Sequence, residues 1–127
     1  MANVKNKRIL LVGASGVLGS KYAESLYKNG AKLIMSDLKN SNFTKVIKKN
    51  KKAKYIFCDL CSEFEIVEMA KKASTFFDGL DGVIFNAAAT QESFISKKKN
   101  NFPKFEDYPL DLWKKSIEYL NDATYYY

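Results

Sequence analysis

Residues 11–20 read LVGASGVLGS, and this stretch decides the fold. Gly13, Gly16 and Gly19 recur every three residues. An apolar run, RILLV at 8–12, precedes them, and a helix-like pattern follows. A short, continuously apolar run marks a strand covered on both faces, as in a parallel sheet. A strand, a tight glycine turn and a helix start together make an anion site. The first helical turn has unpaired N–H groups and the positive end of the dipole. Glycine lets a pyrophosphate come up to the backbone. The spacing is G-x-x-G-x-x-G, without the Gly-Lys pair of a Walker-type nucleotide loop.

The same alternation runs on from this stretch. Residues 17–29 are expected to be helical, with Val17, Leu18, Tyr22 and Leu26 on one face and Asn29-Gly30 as the stop. KLIMS at 32–36 is a second strand that ends at Asp37. A short amphipathic helix over 42–50 turns Phe43, Val46 and Ile47 inward. YIFC at 55–58 is a third strand. A helix over 62–77 opens on a capping box, Ser62 with Glu65, and carries Ile66, Ala70, Ala73 and Phe77 at helical spacing. GVIF at 82–85 is a fourth strand. A polar loop spans about 88–108, and a last helix is expected over 110–127. Strands alternating with helices predict an α/β fold: a Rossmann-like, doubly wound parallel sheet with right-handed crossovers. The 127 residues fit a single domain.

Composition narrows the function. The net charge is +7, from 21 Lys and Arg against 14 Asp and Glu, with no histidine. The commonest general base and metal ligand is therefore missing. Two cysteines without histidine cannot close a tetrahedral zinc site, so no metal is expected. The basic runs at 45–54 and 97–101 lack aromatic interleaving and any helix-turn-helix pattern. They read as solvated faces, and nucleic acid is not an expected partner. No apolar run approaches the ~18 residues of a membrane span. The opening MANVKNKRILLVG has only about five apolar residues and is not a signal peptide. A cytoplasmic protein with reduced thiols, and no membrane partner, is the expectation.

Two acidic residues sharpen the glycine loop. Asp37 stands 18 residues beyond Gly19, at the end of the second strand. An acid there accepts hydrogen bonds from adenosine ribose hydroxyls and repels a 2′-phosphate, which favours NAD. Lys39, close by, leaves NADP open. Asp59, in CDL at 58–60, ends the third strand where an adenine ring would lie. The pair Cys58 and Cys61 also has the C-x-x-C spacing of thioredoxin-like redox sites, at a helix start that would lower a thiol pKa.

At GASGVLG, SD, CDL and FNAAA together, the chain resembles the short-chain dehydrogenase/reductase family, over essentially all 127 residues. The resemblance implies a Rossmann fold that binds NAD or NADP. It assigns the glycine motif to Gly13, Ser15, Gly16, Val17, Leu18 and Gly19, the ribose acid to Asp37, and the adenine contact to Asp59 with Leu60. FNAAA is similar to the family's N-N-A-G segment: Asn86 matches the second Asn, Phe85 stands for the first, and Ala88 for the Gly. Asn86, Ala87 and Ala88 would line the nicotinamide-ribose side. In the last helix, the family's catalytic Asn aligns with Leu120, and the neighbouring Asn121 is one residue, or about 100°, off. The glycine spacing is also similar to that of nucleotide-sugar epimerases and dehydratases. The flavour of the whole is that of members acting on sugars and surface glycans, including flagellin modification.

The family's chemistry also needs a Tyr-x-x-x-Lys pair, in which the lysine lowers the tyrosine pKa for proton transfer. None of the eight tyrosines has a lysine four residues on. No catalytic residue is therefore assigned. The chain looks like the first half of a dehydrogenase, its sheet truncated after about four strands and inactive by itself. The outer edge of the fourth strand would then need a cover, from a second polypeptide or from self-association. A non-catalytic nucleotide-binding module is the alternative.

Overall fold

The computed structural model describes residues 3–88, 105–111, 113–115 and 117. By its contacts the chain divides into two units, Met1–Ala87 and Ala88–Tyr127. In the first unit, strands β1 (Arg8–Val12), β2 (Lys32–Asp37), β3 (Lys54–Phe57) and β4 (Gly82–Phe85) alternate with helices α1 (Val17–Lys28), α2 (Ser41–Lys49) and α3 (Glu63–Phe76). All strand pairs are parallel, in the order β3-β2-β1-β4. Leu10 lies between Ile34 and Val83 in register. The predicted doubly wound α/β sheet is thus present, with element ends within a residue or two of expectation.

The order gives the sheet its chemistry. From β1 the chain steps outward through β2 to β3, then returns to the other side of β1 as β4. Right-handed crossovers then put α1 and α2 on one face and α3 on the other. Ligands of open α/β sheets bind where the order reverses, here at the carboxyl ends of β1 and β4. β1 and β2 are covered on both faces, which is why they are apolar without alternation. On the α1/α2 face, Leu11, Leu33 and Met35 pack with Ala23, Phe43 and Val46.

Two helix faces differ from the expected ones. α1 buries Gly19 and Ala23, while Val17 is 86% exposed and Leu18 58%. The helix starts so close to the glycine loop that only small residues fit beneath it. A Cβ on Gly19 would collide with the Gly13 carbonyl oxygen. α3 buries Ile66, Met69 and Ala73; Ala70 is exposed, and Phe77 is the half-buried C-cap residue. Both stripes have helical spacing, so periodicity alone could not choose between them. Phe43 and Val46 point inward on α2 as expected, with Ile47 partly buried.

The second unit contains a short 3-10 helix, Phe105–Asp107. Residues 110–111, 113–115 and 117 are helical. There the Tyr108 and Trp113 rings meet edge to face at 6.4 Å. Most of the expected loop over 88–108, and Leu120 and Asn121, lie outside the described residues.

Candidate functional site

β1 ends at Val12, and the chain turns sharply at Gly13, whose φ is +83°. An L side chain rarely adopts that conformation. A Cβ there would also lie 2.6 Å from the Ala87 backbone nitrogen. Gly13 is thus set by the turn and by the close approach of the segment after β4. Asn86 secures the same approach: its N–H donates to the Val12 carbonyl (2.9 Å), and its side-chain amide reaches the Gly13 carbonyl (3.4 Å).

The other side of the loop is held by β2. Gly13 and Ala14 both donate their N–H groups to the Ser36 carbonyl, at 2.9 and 3.2 Å. Ser15 N–H donates to Asp37 Oδ2 at 2.8 Å. Three successive loop N–H groups therefore end on the last two residues of β2. Asp37 Oδ1 accepts from Leu38 N–H at 2.8 Å, which orients the carboxylate.

Gly16 differs from its two partners. It is the N-cap of α1 in an ordinary extended conformation, φ −68° and ψ 171°. A Cβ on it would meet no protein atom nearer than the Gly13 oxygen at 3.8 Å, an ordinary contact. Neither the fold nor the backbone angle requires glycine here. α1 also has no side-chain cap and no acidic residue in its first turn. α2 and α3, by contrast, are capped by Asn40 and Ser62, which accept the N–H groups of Phe43 and Glu65. The first-turn N–H groups of α1 lie beside an open backbone, with Val17 and Leu18 exposed next to them.

Asp59 follows β3. Cys58 N–H bonds the Asp37 carbonyl (3.0 Å), so the turn carrying Asp59 leaves the sheet next to Asp37. Asp59 Oδ1 accepts from Cys61 N–H at 2.9 Å. Glu65 was expected to close a capping box on Ser62; its carboxylate instead accepts the Asp59 N–H at 2.6 Å. Leu60 is 3% exposed, so its side chain belongs to the core. Ala87 is partly buried against Gly13, and the exposed Ala88 begins the second unit.

Cys58 lacks the electrostatics of a redox thiol. No disulfide joins Cys58 and Cys61. Burial, with Glu65 and Asp59 adding to it, pushes the Cys58 thiol up to about 11. A reactive thiol needs the opposite shift. Among the described residues, no group of three or more Asp, Glu, Cys or His side chains could hold a metal ion, and no helix is long and apolar enough to cross a membrane.

The anchoring role of the Ser36 carbonyl has no sequence signature, because any residue supplies one. The reach of Glu65 to Asp59 is equally silent, since the spacing S-E-F-E predicts a bond to Ser62.

Comparison with known proteins agrees with this fold. The chain is 33% identical over 113 residues to a 3-oxoacyl-acyl-carrier-protein reductase of Rickettsia typhi, covering 87% of this chain and 45% of that protein. It is 28% identical over 92 residues to a 2,5-dichloro-2,5-cyclohexadiene-1,4-diol dehydrogenase of Sphingobium indicum, covering 72% of this chain and 37% of that one. A short-chain type dehydrogenase/reductase structure from Mycobacterium marinum superposes with a TM-score of 0.79 at 20% identity, over 98% of this chain and 48% of that one. The chain thus spans about half the length, or less, of these proteins. The family model described as short chain dehydrogenase matches residues 7–120, and the chain belongs to that family.

Proposed function

We propose that this chain is the cofactor-binding part of an oxidoreductase acting on an alcohol or ketone, and that it takes NAD in preference to NADP. Gly16 carries this reading: its missing side chain serves neither the turn nor the packing, and leaves space beside unpaired N–H groups. Gly13, Ser15, Gly16, Val17, Leu18 and Gly19 form the cradle for a pyrophosphate. Asp37 has two N–H partners, which leaves lone pairs on both oxygens for ribose hydroxyls. Its charge opposes a 2′-phosphate. In this reading Asp59 and the backbone of the buried Leu60 serve the adenine, and Asn86 and Ala87 serve the nicotinamide ribose. The nicotinamide, when bound, supplies a hydride acceptor or donor.

Proton transfer is not provided for. The sequence has no Tyr-x-x-x-Lys, so turnover requires residues that this chain lacks. A second polypeptide, or a second copy, that covers the outer side of β4 belongs to the same proposal. Calorimetric titration with NAD and NADP tests the cofactor assignment. NAD should bind, and NADP should bind at least roughly tenfold more weakly, a difference of about 1.4 kcal/mol. Equal or tighter NADP binding would remove the role given to Asp37. No binding of either would remove the site.

A further inference from the structure

Asp37 makes contacts that ribose recognition does not require. Its carboxylate reaches across 22 residues of sequence to the glycine loop and accepts the Ser15 N–H, in a part-buried bond of 2.8 Å. Among the described residues, it is the side chain that accepts an N–H from the loop. The other two fastenings on that side, from Gly13 and Ala14, share the single Ser36 carbonyl, and the Ala14 bond is the longer, at 3.2 Å. Beyond Ser15 comes Gly16, an N-cap without a side-chain acceptor. The bond to Asp37 is therefore the last fastening before the chain enters α1. Leu38 N–H on Oδ1 fixes the carboxylate in the orientation that this bond needs.

We propose that Asp37 is a positioning residue for the glycine loop, holding Ser15 and hence the start of α1 in place before any ligand arrives. One carboxylate then does two things: it sets the shape of the pyrophosphate cradle through Ser15, and it offers its remaining lone pairs to the ribose. An acceptor that bears a charge makes the stronger kind of hydrogen bond to a backbone N–H. The inference rests on the proposal that residues 13–19 hold a dinucleotide, but the fastening itself joins two parts of this chain.

The two roles separate by experiment. Amide exchange at Ser15 and Gly16 is followed by NMR in the ligand-free protein, for wild type, Asp37→Ala and Asp37→Asn. ADP and 2′,3′-dideoxy-ADP are then titrated into each by calorimetry. The positioning role predicts that Asp37→Ala speeds Ser15 exchange by about tenfold or more, while Leu11 and Met35 in the sheet exchange as before. It also predicts that Asp37→Ala weakens the dideoxy ligand, which has no ribose hydroxyl to lose, by a factor approaching the loss for ADP. Asp37→Asn is nearly isosteric and keeps one carbonyl acceptor, so it should fall between; it decides the matter if Asp37→Ala does not fold. Unchanged Ser15 exchange, with weaker ADP and unaltered dideoxy-ADP, would overturn the proposal and leave Asp37 as a ribose contact alone. If wild type binds neither ligand, the dinucleotide reading fails, and Ser15 exchange still decides whether the fastening exists.

Discussion

A methyl group added to each glycine of the loop would meet something different. On Gly13 it would fall against the Ala87 backbone, at a φ of +83°; on Gly19 it would strike the Gly13 carbonyl; on Gly16 it would make only an ordinary contact, at 3.8 Å from the Gly13 oxygen. Gly13→Ala and Gly19→Ala should each destabilise the fold by about 1–3 kcal/mol, the usual cost of overpacking. Gly16→Ala should leave thermal stability within error of wild type and weaken NAD binding. Thermal melts and calorimetry on the three variants check this, and a Gly16→Ala protein that melts low would refute the distinction. At the cysteines, burial and the neighbouring carboxylates hold Cys58 as a thiol up to about pH 11. Iodoacetamide at pH 8 should therefore modify the exposed Cys61 and spare the buried Cys58 until the protein is unfolded. Peptide mass spectrometry reads both sites, and equal labelling in the native protein would contradict the burial. Because the folded value is raised, the unfolded chain ionises first. The associated stability is complete below about pH 8.5 and is lost as pH rises toward 11.

Among elements, β1 and β4 are fastened at the end of the sheet opposite the glycine loop. Arg8 donates its backbone N–H and its Nε to Asp81 Oδ2, at 2.8 and 3.0 Å, and its Nη2 to Oδ1, at 2.9 Å. Asp81 N–H returns a bond to the Arg8 carbonyl. The Arg8 side chain, and then its backbone N–H, hold the Asp81 carboxyl well below the usual carboxylate range. A depressed value stabilises the fold above the unfolded pKa of about 3.9, and that contribution is lost as the pH falls further. Asp81→Asn should therefore lower Tm by a few degrees at pH 7, with the gap to wild type narrowing steadily as the pH falls below about 4. Melts across that range test it, and a gap independent of pH would exclude the ion pair as its source. Both side chains are about a third exposed, so the gap should be modest and shrink in high salt. At this scale the sequence was most legible. RILLV and GVIF were placed to the residue, because continuous apolar runs bounded by turns have few alternative structures. The buried faces of α1 and α3 were less legible. The neighbour's shape chose Ala23 over Val17 and Leu18, and Met69 over Ala70, and no periodicity contains that shape.

Considered whole, the chain belongs to a dehydrogenase family and spans about half the length of its relatives. Among the described residues, no strand pairs with the outer side of β4. A strand edge left without a partner favours association or a low melting temperature. The isolated chain should therefore sediment as more than a monomer, or melt low if monomeric. With NAD and a panel of secondary alcohols it should form no reduced nicotinamide above background. Turnover by the isolated chain, followed by absorbance, would overturn the proposal that its proton-transfer residues come from elsewhere. The sequence by itself determined the alternating architecture, the glycine turn and the lack of a Tyr-x-x-x-Lys pair, because these depend on local pattern and residue identity. Tertiary structure decided which glycine has room for a side chain, and that Asp37 and the Ser36 carbonyl grip the loop that Asn86 meets from the other side. Those relations join residues 22 and 73 positions apart, and only the strand order β3-β2-β1-β4 brings them together.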